Sequence, residues 1–301
     1  MDRSRKVLVA KCVGYPLFFL FCLVFFFPML LPAAQIKSLV QQEFEKTAGQ
    51  RLEIGYAGTG LLGGLVFRDL AVMPLDADPK DTKAAKFRVE EVRLGLPLLK
   101  LITGRKAVDI KVSAFEGTIS GMIGAKGTMQ EASLSLSDVN LAKMGSLWES
   151  LGVKFAGKLN GDFDIVYDTG DAKKDNGVVS LRLEDFTLTE GKYMGFELPK
   201  MMMGKVTGRI DVKDGKAEVK EFKGKGKDIE LKGEGQSNLA PRISTSGMTV
   251  KFRFKPSDDF VQRNQKLQPL LYTIQSSKDK DGFYVFQVTG SLERPYFSMG
   301  R

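Results

Sequence analysis

The chain has 301 residues, with 45 Lys and Arg against 36 Asp and Glu, a formal net charge of +9. It has no histidine, and its two cysteines, Cys12 and Cys22, stand near the start. Ser-His-Asp triads and histidine-bound zinc are therefore excluded, and the residues after 22 hold neither a disulfide nor a thiol nucleophile.

From Cys12 to Ile36 no residue is charged, a run of 25. A membrane-spanning helix needs about 20 apolar residues. The run exceeds the roughly 7–15 residues of a signal-peptide core, and Leu31 and Pro32 stand where a cleavage site wants small side chains. The reading is an uncleaved anchor over 12–34. Arg3, Arg5, Lys6 and Lys11 precede it against a single acid, Asp2. The positive-inside rule then keeps residues 1–11 in the cytoplasm and sends residues 35–301 to the far side. Beyond residue 11 the balance falls to 41 basic against 35 acidic residues. The signs alternate, as in DVKDGKAEVKEFKGKGKDIELKGEG (211–235), which suits a solvated strand surface and no nucleic acid.

Residues 35–48 predict an amphipathic helix with Ile36, Leu39, Val40 and Phe44 on one face and Gly49 as its stop. The period then switches to two. Strands are expected at Arg51–Tyr56 and Leu65–Met73, at Phe87–Leu96 with a phase slip before Val92, at Val108–Ala114 and at Phe115–Ile123. FAGKLNGDFDIVY (155–167) alternates most regularly, with Phe155, Leu159, Phe163, Ile165 and Tyr167 on one face. Strands follow at Val178–Thr189, with a bulge at Glu184–Asp185, then at Val206–Val212, Ala217–Phe222, Thr249–Lys255 and Phe283–Leu292. One apolar and one polar face per strand marks antiparallel sheet. Helices are expected at 139–151, after cap candidates Asp138 and Asn140, and at 258–271, after Ser257, with Pro269 distorting the second near its end.

An apolar-x-Gly-x-apolar pattern recurs at Phe115–Ile119, Leu159–Phe163, Val206–Ile210 and Val288–Leu292. Together with the matching helix contexts it suggests a weak internal repeat over about 50–165 and 178–301. Three short helices cannot cover this many strands, so the sheet is expected to curl into a groove. The fold class is mainly β: a transmembrane helix, then a curled, repeat-like antiparallel sheet with two or three short covering helices.

The span, the helix ending Thr47-Ala48-Gly49, LEIGYAGTGLLGGLVFRDLAV (52–72) and the closing FQVTGSLERPYF (286–297) resemble the type II secretion system protein N family in its deltaproteobacterial form. The start and end are similar also to AsmA-like envelope proteins. The resemblance implies an inner-membrane protein with a periplasmic domain, partnered by other secretion components, and the AsmA-like side implies a β groove linked to lipid movement. It carries no catalytic residues and no cofactor onto this chain.

Carboxylates neighbour one another at Glu90–Glu91, Glu184–Asp185 and Asp258–Asp259. The first two pairs point to opposite faces of a strand, and the third suits a helix start. The expectation is therefore not an enzyme. The candidate site is the apolar face: Phe163, Ile165, Phe252, Phe254 and Phe286. These residues can pack a core beneath the helices or line an open groove for an acyl chain or apolar peptide, and the pattern leaves both open.

Overall fold

The computed structural model describes residues 33–60, 64–76, 87–95, 106–145, 148, 152–193, 196–240, 245–291 and 294–300. Arg3, Arg5, Lys6, Lys11 and the expected anchor, except Ala33 and Ala34, lie outside these residues. Among the described residues no helix is long and apolar enough to cross a membrane. The chain divides into two compact units, residues 1–98 with 108–112 and residues 99–107 with 113–301.

In the first unit, α1 (Ala33–Ala48) precedes β1 (Arg51–Thr59), β2 (Leu65–Met73) and β3 (Phe87–Gly95). Gly49 ends the helix as expected, at φ 62 with its N–H donating to the Glu45 carbonyl at 3.0 Å. Ile36, Val40 and Phe44 pack onto Leu52, Ile54, Phe67, Leu70 and Val72. Leu39, expected on that face, is 60% exposed. The buried ridge follows i, i+4, i+8, and at 3.6 residues per turn Leu39 lies about 60° to its other side. The strands pair antiparallel, but pairing skips Gly55, Asp69 and Glu90 in one transverse row, where Asp69 takes φ 54. Leu70 on one side of that row and Phe67 on the other enter the same core. The phase slip expected in β3 is this shared kink. Next in the chain, β4 (Lys106–Ala114) alternates half-buried Val108, Ile110 and Val112 with exposed Asp109 and Lys111.

The second unit is built from β5 (Gly117–Lys126), β6 (Met129–Asn140), β7 (Val153–Asp168), β8 (Asn176–Tyr193), β9 (Phe196–Leu198), β10 (Met201–Lys213), β11 (Lys216–Lys225), β12 (Ile229–Asn238), β13 (Gly247–Pro256), β14 (Tyr284–Ser291) and β15 (Pro295–Met299). Strand order is chain order and every pairing is antiparallel; β9 alone stands off the path, beside β8. The path stays open, since no pairing among the described residues joins β15 to a strand other than β14.

Several expectations are corrected. Phe115 and Glu116, expected in a strand, form the turn between β4 and β5, with φ 54 and 61. The helix expected from 139 begins later and tighter. β6 runs to Asn140, whose side chain accepts from the Ala142 N–H and caps a 3₁₀ turn over Leu141–Met144. Asp138 stays in the strand at φ 54. The helix expected over 258–271 is two short helices, α2 (Asp258–Arg263) and α3 (Gln268–Thr273), joined by a 3₁₀ turn. Ser257 caps the first as expected. Pro269 opens α3 instead of ending a helix, because a first-turn N–H has no partner to lose. The bulge at Glu184–Asp185 is present: Asp185 takes φ 51 and the register against β7 shifts by one there.

Candidate functional site

Cross-strand partners share a face, so the register locates the expected residues. Phe163 opposes Val179, Val179 opposes Ile210, Ile210 opposes Val219, Val219 opposes Gly235 and Gly235 opposes Val250. Phe252 and Phe254 follow Val250 at spacings of two and four, and Phe286 opposes Phe252. Phe163, Ile165, Phe252, Phe254 and Phe286 therefore lie on one face of the second unit. Three of them meet: Phe254 stacks on Phe286 with centroids 5.8 Å apart, and Phe252 stands across from Phe286. Phe163 and Ile165 stay apart from them, on the far side of β8, β10, β11 and β12.

The array includes two rings not expected from the sequence. Phe222 meets Phe252 edge-on at 5.7 Å, and Tyr284 stacks on Phe254 at 5.4 Å. It also rests on glycines. Across the sheet run Leu136, Gly161, Leu181, Gly208 and Phe222 as successive partners. Past a register break between β11 and β12, Gly233, Phe252, Phe286 and Met299 are again successive partners. A Cβ at Gly233 would come 2.8 Å from the Phe222 ring, so the glycine leaves the ring room to lie across the backbone. The apolar-x-Gly-x-apolar pattern at Gly161 and Gly208 was the signal for this row.

Cover over the face is uneven. Where β10 begins, Leu188, Met203, Val206 and Ile229 are buried, with Phe155, Phe186, Phe222 and Phe254 packed on them. Phe260, Leu267 and Leu270 of α2, the connecting turn and α3 close that end against Leu198 and Met201. A buried carboxylate fixes the closure. Asp228 accepts the Met202 N–H at 2.8 Å and the Arg263 guanidinium at 3.0 Å, while its carbonyl accepts the Ser257 N–H at 2.8 Å. Asp228 and then Asp259 raise the Arg263 pKa above its ordinary value. Farther along the strands Phe163, Ile165, Leu134 and Val250 are only half-buried, Phe252 is 40% exposed and Ile123 43%. At the far end the Tyr167 hydroxyl donates to the Ala240 carbonyl at 3.3 Å, linking β7 to the residues after β12. Burial there pushes the Tyr167 pKa up, with Asp175 adding to it.

The opposite face is polar and largely self-neutralising. Lys223 pairs with Glu221 at 3.1 Å, Lys232 with Glu230 at 3.1 Å and Arg253 with Glu234 at 3.7 Å. The Thr207 hydroxyl and then Lys223 hold Glu221 below the usual carboxylate range. Beside the β7–β8 turn, Asp168 is buried, and its carboxyl is held low by the Gly170 N–H first, then Thr128 and Lys174. Of the acidic pairs noted in the sequence, Glu91 accepts from Arg68 at 2.8 Å and from Arg93 at 2.5 Å, and Asp259 pairs with Arg263 at 3.0 Å. Among the described residues no group of three or more Cys, Asp or Glu could hold a metal ion. What the site offers chemically is apolar surface.

No protein-family model matches the chain. No curated protein matches it, and no solved structure does.

Proposed function

We propose that this chain is a non-enzymatic, inner-membrane-anchored envelope protein with its bulk in the periplasm. It acts as a scaffold or docking surface within type II secretion, and the apolar face of the second unit, curled into a groove, receives an apolar segment of another secretion component. The observation carrying this reading is the half-exposed run of Phe163, Ile165, Val250 and Phe252 beyond the helix-closed end. An apolar surface left uncovered in this way marks an interaction site. The Tyr167–Ala240 contact supports the curl, because it draws β7 toward the end of β12. Loss of the gene should reduce export of at least one secreted enzyme, and complementation with Phe252→Asp should fail where wild type succeeds. Undiminished export in the deletion strain overturns the assignment to secretion.

A second reading, an AsmA-like lipid groove, draws on a different observation. Glycines alternate with large side chains across the strands, and at Gly208, where a Cβ would meet nothing nearer than 3.7 Å, they leave a shallow furrow floored by backbone. A methylene chain fits such a furrow better than a folded partner does. Native mass spectrometry of the purified full chain separates the readings: bound phospholipid, lost in Gly208→Leu, supports the groove, and a lipid-free chain removes it.

A further inference from the structure

β15 carries the sequence Pro295-Tyr296-Phe297-Ser298-Met299 and, among the described residues, pairs on one side only, with β14. Natural sheets shield such edges with charge, and this segment has none from Pro295 through Gly300. It is instead richly apolar on both faces: Tyr296 and Phe297 are each 68% exposed and Met299 is 53% exposed. Phe297 opposes Val288 and Met299 opposes Phe286, which puts both on the apolar face already described.

The hydrogen bonding says which peptide groups face outward. The Gly300 N–H donates to the Val285 carbonyl at 2.9 Å. Donors alternate along an antiparallel strand, so the N–H groups of Ser298 and Tyr296 also point inward. The N–H groups of Phe297 and Met299 then point away from the sheet. Pro295 falls in the same outward set, the position where a missing N–H breaks no ladder bond.

We infer that β15 pairs antiparallel with β15 of a second copy of this chain, about a two-fold axis at Phe297. The strand is self-complementary in that register. Each Phe297 N–H reaches the partner copy's carbonyl at the same position, and each Met299 N–H reaches the carbonyl at the Pro295 position. Both outward donors are satisfied; each Met299 carbonyl, which faces a proline with no N–H, stays with solvent. Phe297 stands beside its twin, Met299 beside a proline ring, and Arg294 opposite an uncharged Gly300. A different partner would need an address on the edge; an uncharged strand that matches itself needs none. Pairing about this axis keeps both apolar faces on the same side, so the face of one copy continues into the next. This is independent of what occupies that face.

Cysteine crosslinking of the detergent-solubilised full chain tests the pairing, in a Cys12→Ser, Cys22→Ser background where an introduced cysteine is the sole thiol. Phe297→Cys should give a homodimer with a short bis-maleimide, while Lys216→Cys, on the β10–β11 hairpin, stays monomeric. Detergent-corrected mass should be twice the monomer for wild type and fall by half in Phe297→Asp. Met299→Pro, which removes an outward donor and leaves the bonds to β14 in place, should also yield monomer with an unchanged circular dichroism spectrum. A monomeric wild type with no crosslink above the Lys216→Cys level overturns the inference. So does a Phe297→Cys product that contains a different polypeptide.

Discussion

Where β10 begins, the apolar face of the second unit lies beneath α2 and α3, and Phe260 is 1% exposed. Farther along the same strands, with the same alternation, Phe252 is 40% exposed. The strand pattern specifies which side chains share the face, and it is identical in kind at both places. What differs is the segment between β13 and β14, which supplies Phe260, Leu267 and Leu270 to one end. The comparison teaches that apolar patterning in a sheet names a surface but not its fate. That depends on whether a helix comes back across it.

If the closed end is a core and the rest a surface, substitutions should separate the two. Phe260→Ala should cost about 3–5 kcal/mol in denaturant unfolding of the full chain, since it opens a cavity in a sealed cluster. Arg263→Leu should cost about 1–2 kcal/mol, because the buried Asp228 carboxylate loses a charged donor yet keeps the Met202 N–H. Phe163→Ala should cost about 1 kcal/mol or less, as its side chain has already kept much of its contact with water. A loss at Phe163 as large as that at Phe260 would break the comparison and make the whole face a core. The smallest effect is also the most local. At Gly208 a Cβ would meet nothing nearer than 3.7 Å, so Gly208→Ala should be neutral or stabilising by up to about 1 kcal/mol. Gly233→Ala should be destabilising, because the Phe222 ring must shift. Calorimetry on the two variants reads the difference in sign.

A pH series sharpens the picture away from the apolar face. Asp168 titrates below its usual range in the folded chain, held there first by the Gly170 N–H. Its contribution is complete above the ordinary carboxyl range and is lost as pH falls through the lowered value. Asp168→Asn should therefore flatten the acid side of the stability profile and leave the neutral region less stable. An unchanged slope between the two proteins in acid would show that Asp168 does not supply it.

Much of the ladder was legible because alternation at period two is a local signal. Phe163 and Ile165, or Val108 and Ile110, declare a face within a few residues. β12 escapes the pattern because its apolar face holds only Ile229 and Leu231 before Gly233 and Gly235 take the next positions, so the alternation fades after two residues. Phe222 is hidden as a site residue for the same reason: its neighbours across the sheet, Gly208 and Gly233, are silent in hydropathy. The apolar pattern over 258–271 locates the helical segment but not its division into α2 and α3. The break at Asn264 arises where its side chain and backbone both bond back to the Phe260 carbonyl, a closure that no composition signal announces. Leu39 failed on geometry, since i+3 and i+4 neighbours diverge across a narrow ridge.

Strand order that equals chain order has a kinetic consequence. Every strand from β6 to β8, and from β10 to β15, finds an earlier strand as its partner, and most are joined to it by a short turn. Closing such short loops costs little entropy, and sheets made of sequence-near pairings form faster than those that must wait for distant segments. The second unit can thus lengthen by accretion, with each newly available strand templated by the one before it. The closing helices and β15 are added last, when the surface they complete is already built.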